Sequence, residues 1–367
     1  MDVVELSKEL ISYNTQIPPG NEEQCARFLR DYIRDMHFKN CALDVHRFQK
    51  SRANLIAKIG PDRPGLLLSG HIDVVPTGEV GNWSSPPFEA KVKGGRLFGR
   101  GAADMKAGVA AMVKAIESMK RAKLNRGIVF IATAGEEADY DGLKSIVREK
   151  KLTGKEAKFG LIAEPTELNV VHGHRGATTF ALKFHGRSAH ASEPESGINA
   201  VENCSNFISD SDRWRKIVSE ARDPDLGSST LTATVIKGGT KSNVIPDYCE
   251  LAVDCRRIPK HTMKKIQQGI VSIIKKRQSI DPNFRVDVQV MTDSDPLALP
   301  RDHHIVKLAE KCGGGESTIA PYGTEAPFYV HLGIPVVILG PGSVKQAHIT
   351  DEYVELREVR KAVSIYE

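Results

Sequence analysis

The chain of 367 residues lacks any apolar run near the ~20 residues that a bilayer-spanning helix needs, so no membrane span is expected. Its six cysteines, Cys25, Cys41, Cys204, Cys249, Cys255 and Cys312, are scattered, with no CxxC pair. That spacing excludes a dense disulfide framework, and fits reduced thiols buried as small hydrophobes. An excess of one charge is also missing: 51 Lys and Arg face 46 Asp and Glu, net +5, spread along the chain. No nucleic-acid partner is expected from so mild a balance. With 40% hydrophobic and 26% charged residues the composition is that of a globular protein and not of a disordered one. Met1-Asp2-Val3-Val4-Glu5-Leu6 carries acids where an export signal needs basic residues, so a cytoplasmic protein is expected. A GxSxG nucleophile elbow and an HExxH helix are both absent. The run from Gly99 to Asp104 follows a dinucleotide-binding fingerprint for five positions, but it ends in Asp and follows a hairpin, so no nucleotide site is expected.

What is present is an alternation of short apolar runs with helical patterns. Val3, Leu6, Leu10 and Ile11, and after the Pro18-Pro19-Gly20-Asn21 break Cys25, Phe28, Leu29 and Ile33, have helical spacing. Buried strands are expected at residues 54–57, 65–68, 127–133, 159–163 and 336–339, a hairpin at Gly94-Gly95, and helices over 105–124 and 304–311. This is an α/β pattern with helices on both faces of a sheet. Between residues 172 and 292 the order becomes strand, helix, strand, strand, helix, strand, which reads as an inserted ferredoxin-like α+β module. The expected domains are therefore residues 1–171 and 293–367 for a split α/β catalytic domain, and 172–292 for the insert. Lys264, Lys265, Lys275, Lys276 and Arg277 line the polar side of a helix whose stripe is Met263, Ile266, Ile270 and Ile274; this reads as a solvated face.

Four polar motifs stand immediately after apolar strands: His71-Ile72-Asp73, Glu136-Glu137, Glu164-Pro165, and His348 beyond Gly340-Pro341-Gly342. Ligands bind outside the carboxyl ends of strands in an open α/β sheet, so the four motifs can converge on one crevice. Asp104, at the start of the 105–124 helix, is the fifth member. Two imidazoles with three carboxylates suit zinc or a similar borderline divalent ion. Three carboxylates and one hydroxide balance two such ions, which makes Asp104 the natural bridge in a set of His71, Asp104, Glu137, Glu164 and His348. Asp73 is placed to accept the second ring N–H of His71 and fix its tautomer. Glu136, the spare carboxylate, is the candidate general base. His172, His174, His303 and His304 have no such carboxylate context and are not read as ligands.

With these residues in view the chain resembles the M20 metallopeptidase and amidohydrolase family, which includes succinyl-diaminopimelate desuccinylases, acetylornithine deacetylases, aminoacylases and related carboxypeptidases. The motifs are Ser69-Gly-His-Ile-Asp-Val-Val-Pro76, Gly99-Arg-Gly-Ala-Ala-Asp-Met-Lys-Ala-Gly108, Ala134-Gly-Glu-Glu137, Ala163-Glu-Pro-Thr166, Ala189-His-Ala-Ser192, Asn243-Val-Ile-Pro246, Asp254-Cys-Arg256 and Ala347-His348. The resemblance implies two zinc or cobalt ions bridged by Asp104, one completed by His71 and Glu164, the other by Glu137 and His348. It implies a lid and homodimerisation role for the insert, with His190 polarising the scissile carbonyl, and Arg256, Asn243 and Arg175 holding substrate. Gly323 and Thr324 fall in Tyr322-Gly-Thr-Glu-Ala326, which departs from the family's Gly-Gly-Thr-Asp-Ala near the expected substrate carboxylate; Ala107 replaces a usual glycine.

The function expected is hydrolysis of a small N-acylated amino acid, of the succinyl-diaminopimelate desuccinylase or acetylornithine deacetylase type. A dipeptidase, carboxypeptidase or aminoacylase is the alternative within the family. From another class, a non-catalytic metal-binding adaptor would need neither Glu136 nor His190.

Overall fold

The computed structural model describes residues 1–367. It divides into two compact units: residues 1–172, 299–318 and 324–367 form the first, and residues 173–298 with 319–323 the second. The protein has a mixed α/β fold, and none of its helices is long and apolar enough to cross a membrane.

In the first unit the sheet runs in the order Cys41–Gln49, Arg52–Ile59, Ile128–Thr133, Gly65–His71, Ala157–Ile162, Val336–Ile338, Asn169–His174. Ile128–Thr133, Gly65–His71, Ala157–Ile162 and Val336–Ile338 are mutually parallel. Parallel strands buried on both faces need continuous apolar runs, and every residue of Ile128–Thr133 is buried. Their carboxyl ends emerge on one edge, and the chain leaves that edge into His71, Glu136-Glu137, Glu164 and the loop carrying His348. This shared direction positions the site.

The Ala107–Ser118 helix is enclosed by the sheet and by the helices Val3–Ser12 and Leu356–Tyr366, and its small residues allow the close approach. Gly108 shows how close: a Cβ there would lie 2.4 Å from the Ala163 carbonyl oxygen, next to Glu164. The helix expected over 105–124 begins later, at Ala107, and its last turn, Met119–Arg121, tightens into a 3-10 turn. It begins later because Asp104 (φ −125°, ψ 94°) and Met105 (φ −135°, ψ 30°) are not helical.

The second unit is a four-stranded antiparallel sheet in the order Thr230–Gly238, Tyr248–Arg257, Gly176–His185, Arg285–Ser294, a ferredoxin-like arrangement with the first strand inside. Phe180, Phe184, Cys204, Phe207, Leu251, Ile266 and Ile270 form its core. The first helix expected in the insert is two, Ala200–Asp210 and Asp212–Glu220, broken at Ser211, whose hydroxyl donates to the Ile208 carbonyl oxygen at 2.7 Å. The buried alternation Cys249, Leu251, Val253, Cys255 continues into Arg257, which is fully buried. Its guanidinium donates to Asp293 at 2.7 Å, Asp295 at 3.1 Å and the Thr178 hydroxyl at 2.8 Å. Arg257→Ala would empty a fully buried position and remove the donor shared by Asp293, Asp295 and Thr178, whereas the two acids, partly open to water, would be re-solvated. We expect it to lower unfolding stability by about 1–3 kcal/mol, read by denaturant titration.

Candidate metal centre

His71 ends its strand and is 1% exposed. Its Nδ1 lies 2.9 Å from the main-chain oxygen of Asp73, which can only accept, so Nδ1 carries the proton and Nε2 is turned toward the carboxylates. This corrects the expectation that the Asp73 carboxylate takes that proton; the nearer carboxylate oxygen is 3.8 Å away. The Asp73 carboxylate is engaged elsewhere. It accepts the backbone N–H groups of Gly135 at 2.8 Å, Glu136 at 3.2 Å and Glu137 at 3.0 Å. Three successive N–H groups form a concave anion cradle, and Gly135 at φ +82° supplies the left-handed residue that closes it. Asp73 therefore shapes the turn that bears Glu136 and Glu137.

The five expected ligands converge. The two oxygens of Asp104 face different imidazoles: Oδ1 lies 2.9 Å from His71 Nε2, and Oδ2 3.3 Å from His348 Nε2. Glu137 Oε1 is 2.9 Å from His348 Nε2, and Glu164 Oε1 is 3.7 Å from His71 Nε2. Donor atoms of His71, Asp104 and Glu137 lie within 4.8 Å of one another, as do those of His71, Glu136 and Glu164.

Burial pushes the Glu136 and Glu164 carboxyls well above their usual range, and the neighbouring carboxylates add to the rise. Burial would raise Asp104 too, but hydrogen bonds from His348 and His71 hold it below the ordinary value. His348 is raised to about 10 by hydrogen bonds to Asp104 and Glu137. Four carboxylates gathered in a low-dielectric pocket against two imidazoles repel one another, and divalent cations are the counter-charge such a cluster fits. The donor set therefore suits two divalent ions.

The remaining expected residues belong to the second unit, apart from Thr324. His190 is exposed, and its Nδ1 accepts the Ser192 backbone N–H at 3.2 Å, so in the neutral ring Nε2 carries the proton and can donate. His190 faces Val244 across a short antiparallel bridge, and Ala191 N–H donates to the Asn243 carbonyl oxygen at 3.0 Å, so the two motifs are neighbours. Arg256 is 42% exposed, and its Nε donates to Asp254 at 3.0 Å. Arg175 is half-buried just before the Gly176–His185 strand, and Gly323 lies in the 319–323 segment. Thr324 is 1% exposed, and its hydroxyl oxygen accepts the Ala326 N–H at 3.2 Å at the start of the helix Ala326–His331. It caps a helix.

Two buried features went unread in the sequence. Glu325 accepts hydrogen bonds from the Ser69 and Thr133 hydroxyls, tying the ends of two parallel strands beneath His71. Glu352 accepts three backbone N–H groups of the Asp104 turn. The only sequence signal for either was an acid four residues beyond His348 and another inside Tyr322-Gly-Thr-Glu-Ala326.

Fold and cluster together define a hydrolase built around a carboxylate–imidazole metal centre. Residues 67–367 match the model of Peptidase family M20/M25/M40, and the chain belongs to that family of metal-dependent peptidases and amidohydrolases. It is 32% identical over 311 residues to the acetylornithine deacetylase of Proteus mirabilis (strain HI4320), covering 84% of this chain and 79% of that one. Among solved structures it is similar to the M20 family metallo-carboxypeptidase Sso-CP2 from Sulfolobus solfataricus, with a TM-score of 0.80 and 17% identity over 100% of this chain and 98% of that one. It is also similar to the Bacillus subtilis YXEP protein, a dinuclear metal binding peptidase from the M20 family, with a TM-score of 0.66 and 16% identity over 99% and 95% of the two chains.

Proposed function

We propose that this chain hydrolyses the amide of an N-acyl amino acid at a dinuclear centre, in the manner of an acetylornithine deacetylase. One observation carries the reading: the two oxygens of a single carboxylate, Asp104, are directed at two different imidazoles. In this reading His71 and Glu164 would hold one ion and Glu137 and His348 the other, with Asp104 offering one oxygen to each. Bound zinc or cobalt supplies Lewis-acid polarisation and a lowered pKa for water at the site.

The protein groups then have separate tasks. Glu136 takes the proton of the attacking water and delivers it to the leaving amine; burial raises its carboxyl above the usual carboxylate range. Asp73 keeps Glu136 beside Glu137 by holding their backbone N–H groups. His190, its Nε2–H free to donate, stabilises the oxygen of the scissile carbonyl. Arg256, with Arg175 and Asn243, reads the substrate carboxylate by charge-assisted hydrogen bonds. Gly323 and Thr324 are the other candidates for the substrate carboxylate in this reading, Thr324 from a buried position.

The 32% identity to an acetylornithine deacetylase supports the acyl amino acid class over a peptide. A panel of N-acetylornithine, N-succinyl-diaminopimelate, other N-acyl amino acids and dipeptides, each with zinc and with cobalt, tests it. Turnover of dipeptides alone would overturn the deacylase reading while leaving the centre intact.

Homodimerisation through the second unit is part of the same proposal. The strand Thr230–Gly238 is at the sheet edge, paired on one side only, with Val235 and Ile236 48% and 54% exposed. An open edge with exposed apolar residues is a template for a second copy. We expect sedimentation to report a dimer, and lysine at both positions to yield a monomer.

A further inference from the structure

Beneath the cluster lies an ion pair that the proposed chemistry does not use. Glu352 is 1% and Arg100 2% exposed. The Glu352 carboxylate accepts four hydrogen bonds. Oε1 takes Ala103 N–H at 2.8 Å and Asp104 N–H at 3.1 Å; Oε2 takes Gly101 N–H at 3.1 Å and Arg100 Nη1 at 2.6 Å. Arg100 is itself held. Its guanidinium lies over the Trp83 ring at 5.1 Å, Nη1 also reaches the Ile349 carbonyl oxygen at 3.3 Å, and Nη2 reaches that of Pro76 at 3.2 Å.

These contacts fall on three segments, each bearing one candidate ligand. Ile349 follows His348, Pro76 is five residues past His71, and Gly101, Ala103 and Asp104 are the bridging turn. A buried ion pair is a poor source of stability compared with apolar packing, so its placement calls for another reason. Asp104 provides one. Its backbone is non-helical where a helix is about to begin, and the N–H groups at 101, 103 and 104 would be orphaned there without an acceptor.

We infer that Glu352, locked by Arg100, is a positioning residue that preforms the Asp104 turn and its register with His71 and His348 before any metal arrives. The inference rests on the reading of Asp104 as the metal bridge, and zinc uptake by Asp104→Ala against the wild type tests that reading separately. Glu352 touches no metal and no substrate. It acts through the backbone of Asp104, as the outer partners of metal ligands do through their side chains.

The test compares zinc affinity of the wild-type chain and of Glu352→Gln by competition with a chelator, with circular dichroism to establish that both are folded. Glutamine must turn an NH2 group toward backbone donors or toward Arg100, so affinity should fall about tenfold to a hundredfold. A folded variant that binds zinc as the wild type does overturns the inference. Amide hydrogen exchange on the metal-free wild type decides the matter even if the variant does not fold. The amides of Gly101, Ala103 and Asp104 should already be protected, and rapid exchange that slows only on zinc addition would show that the metal, and not Glu352, orders the turn.

Discussion

Glu136→Gln is expected to reduce kcat by about 10²–10⁴-fold, the usual share of a positioned proton-transfer group, while zinc remains at the wild-type content. Glutamine keeps the size of the side chain and removes only its ability to take a proton. The backbone N–H of residue 136 would still donate to Asp73, so the turn that carries Glu137 should survive. A fall in kcat with KM and metal content unchanged marks a group acting in the reaction and not in binding. The adaptor reading makes the opposite prediction: a wild-type chain with full metal and no turnover, which Glu136→Gln could not worsen. Metal analysis and single-turnover rates on the same preparations separate the two.

How much of this was legible beforehand depended on the range of the interaction. The parallel strands were readable because burial on both faces demands apolar runs, and the convergence of the candidate ligands followed because chain direction brings the carboxyl ends of parallel strands to one edge. Asp104 needed only its place ahead of a helix. The partner of His71 was misread because a carboxylate two residues along an extended strand and a main-chain carbonyl are indistinguishable until the turn 135–137 is seen to claim the carboxylate. Arg257 was missed for a related reason. An arginine at the end of an apolar alternation reads as the end of burial, and its partners are Asp293 on another strand and Asp295 just beyond that strand's end. Glu352 and Glu325 act on backbone and hydroxyl groups about 190 to 260 residues away, a separation that local pattern cannot register.

Asp104→Ala should have the other large effect, and of a different kind. Both imidazoles lose their shared partner at once, and Glu136, Glu137 and Glu164 remain in a buried cluster with less to hold them in register. We expect zinc content to drop from two ions per chain to one or none, and hydrolysis to fall on the order of a thousandfold, equal to about 4 kcal/mol of transition-state stabilisation. A thermal measurement reads the same event without substrate. An ion that binds only the folded chain stabilises it by about 2.7 kcal/mol at a hundred times its dissociation constant, so zinc should raise the unfolding temperature of the wild type and raise that of Asp104→Ala by clearly less. Glu136→Gln should keep that zinc-dependent rise in full. The two variants thus divide the cluster into the group that holds metal and the group that moves the proton, and a zinc response in Asp104→Ala equal to the wild type would remove Asp104 from the bridge.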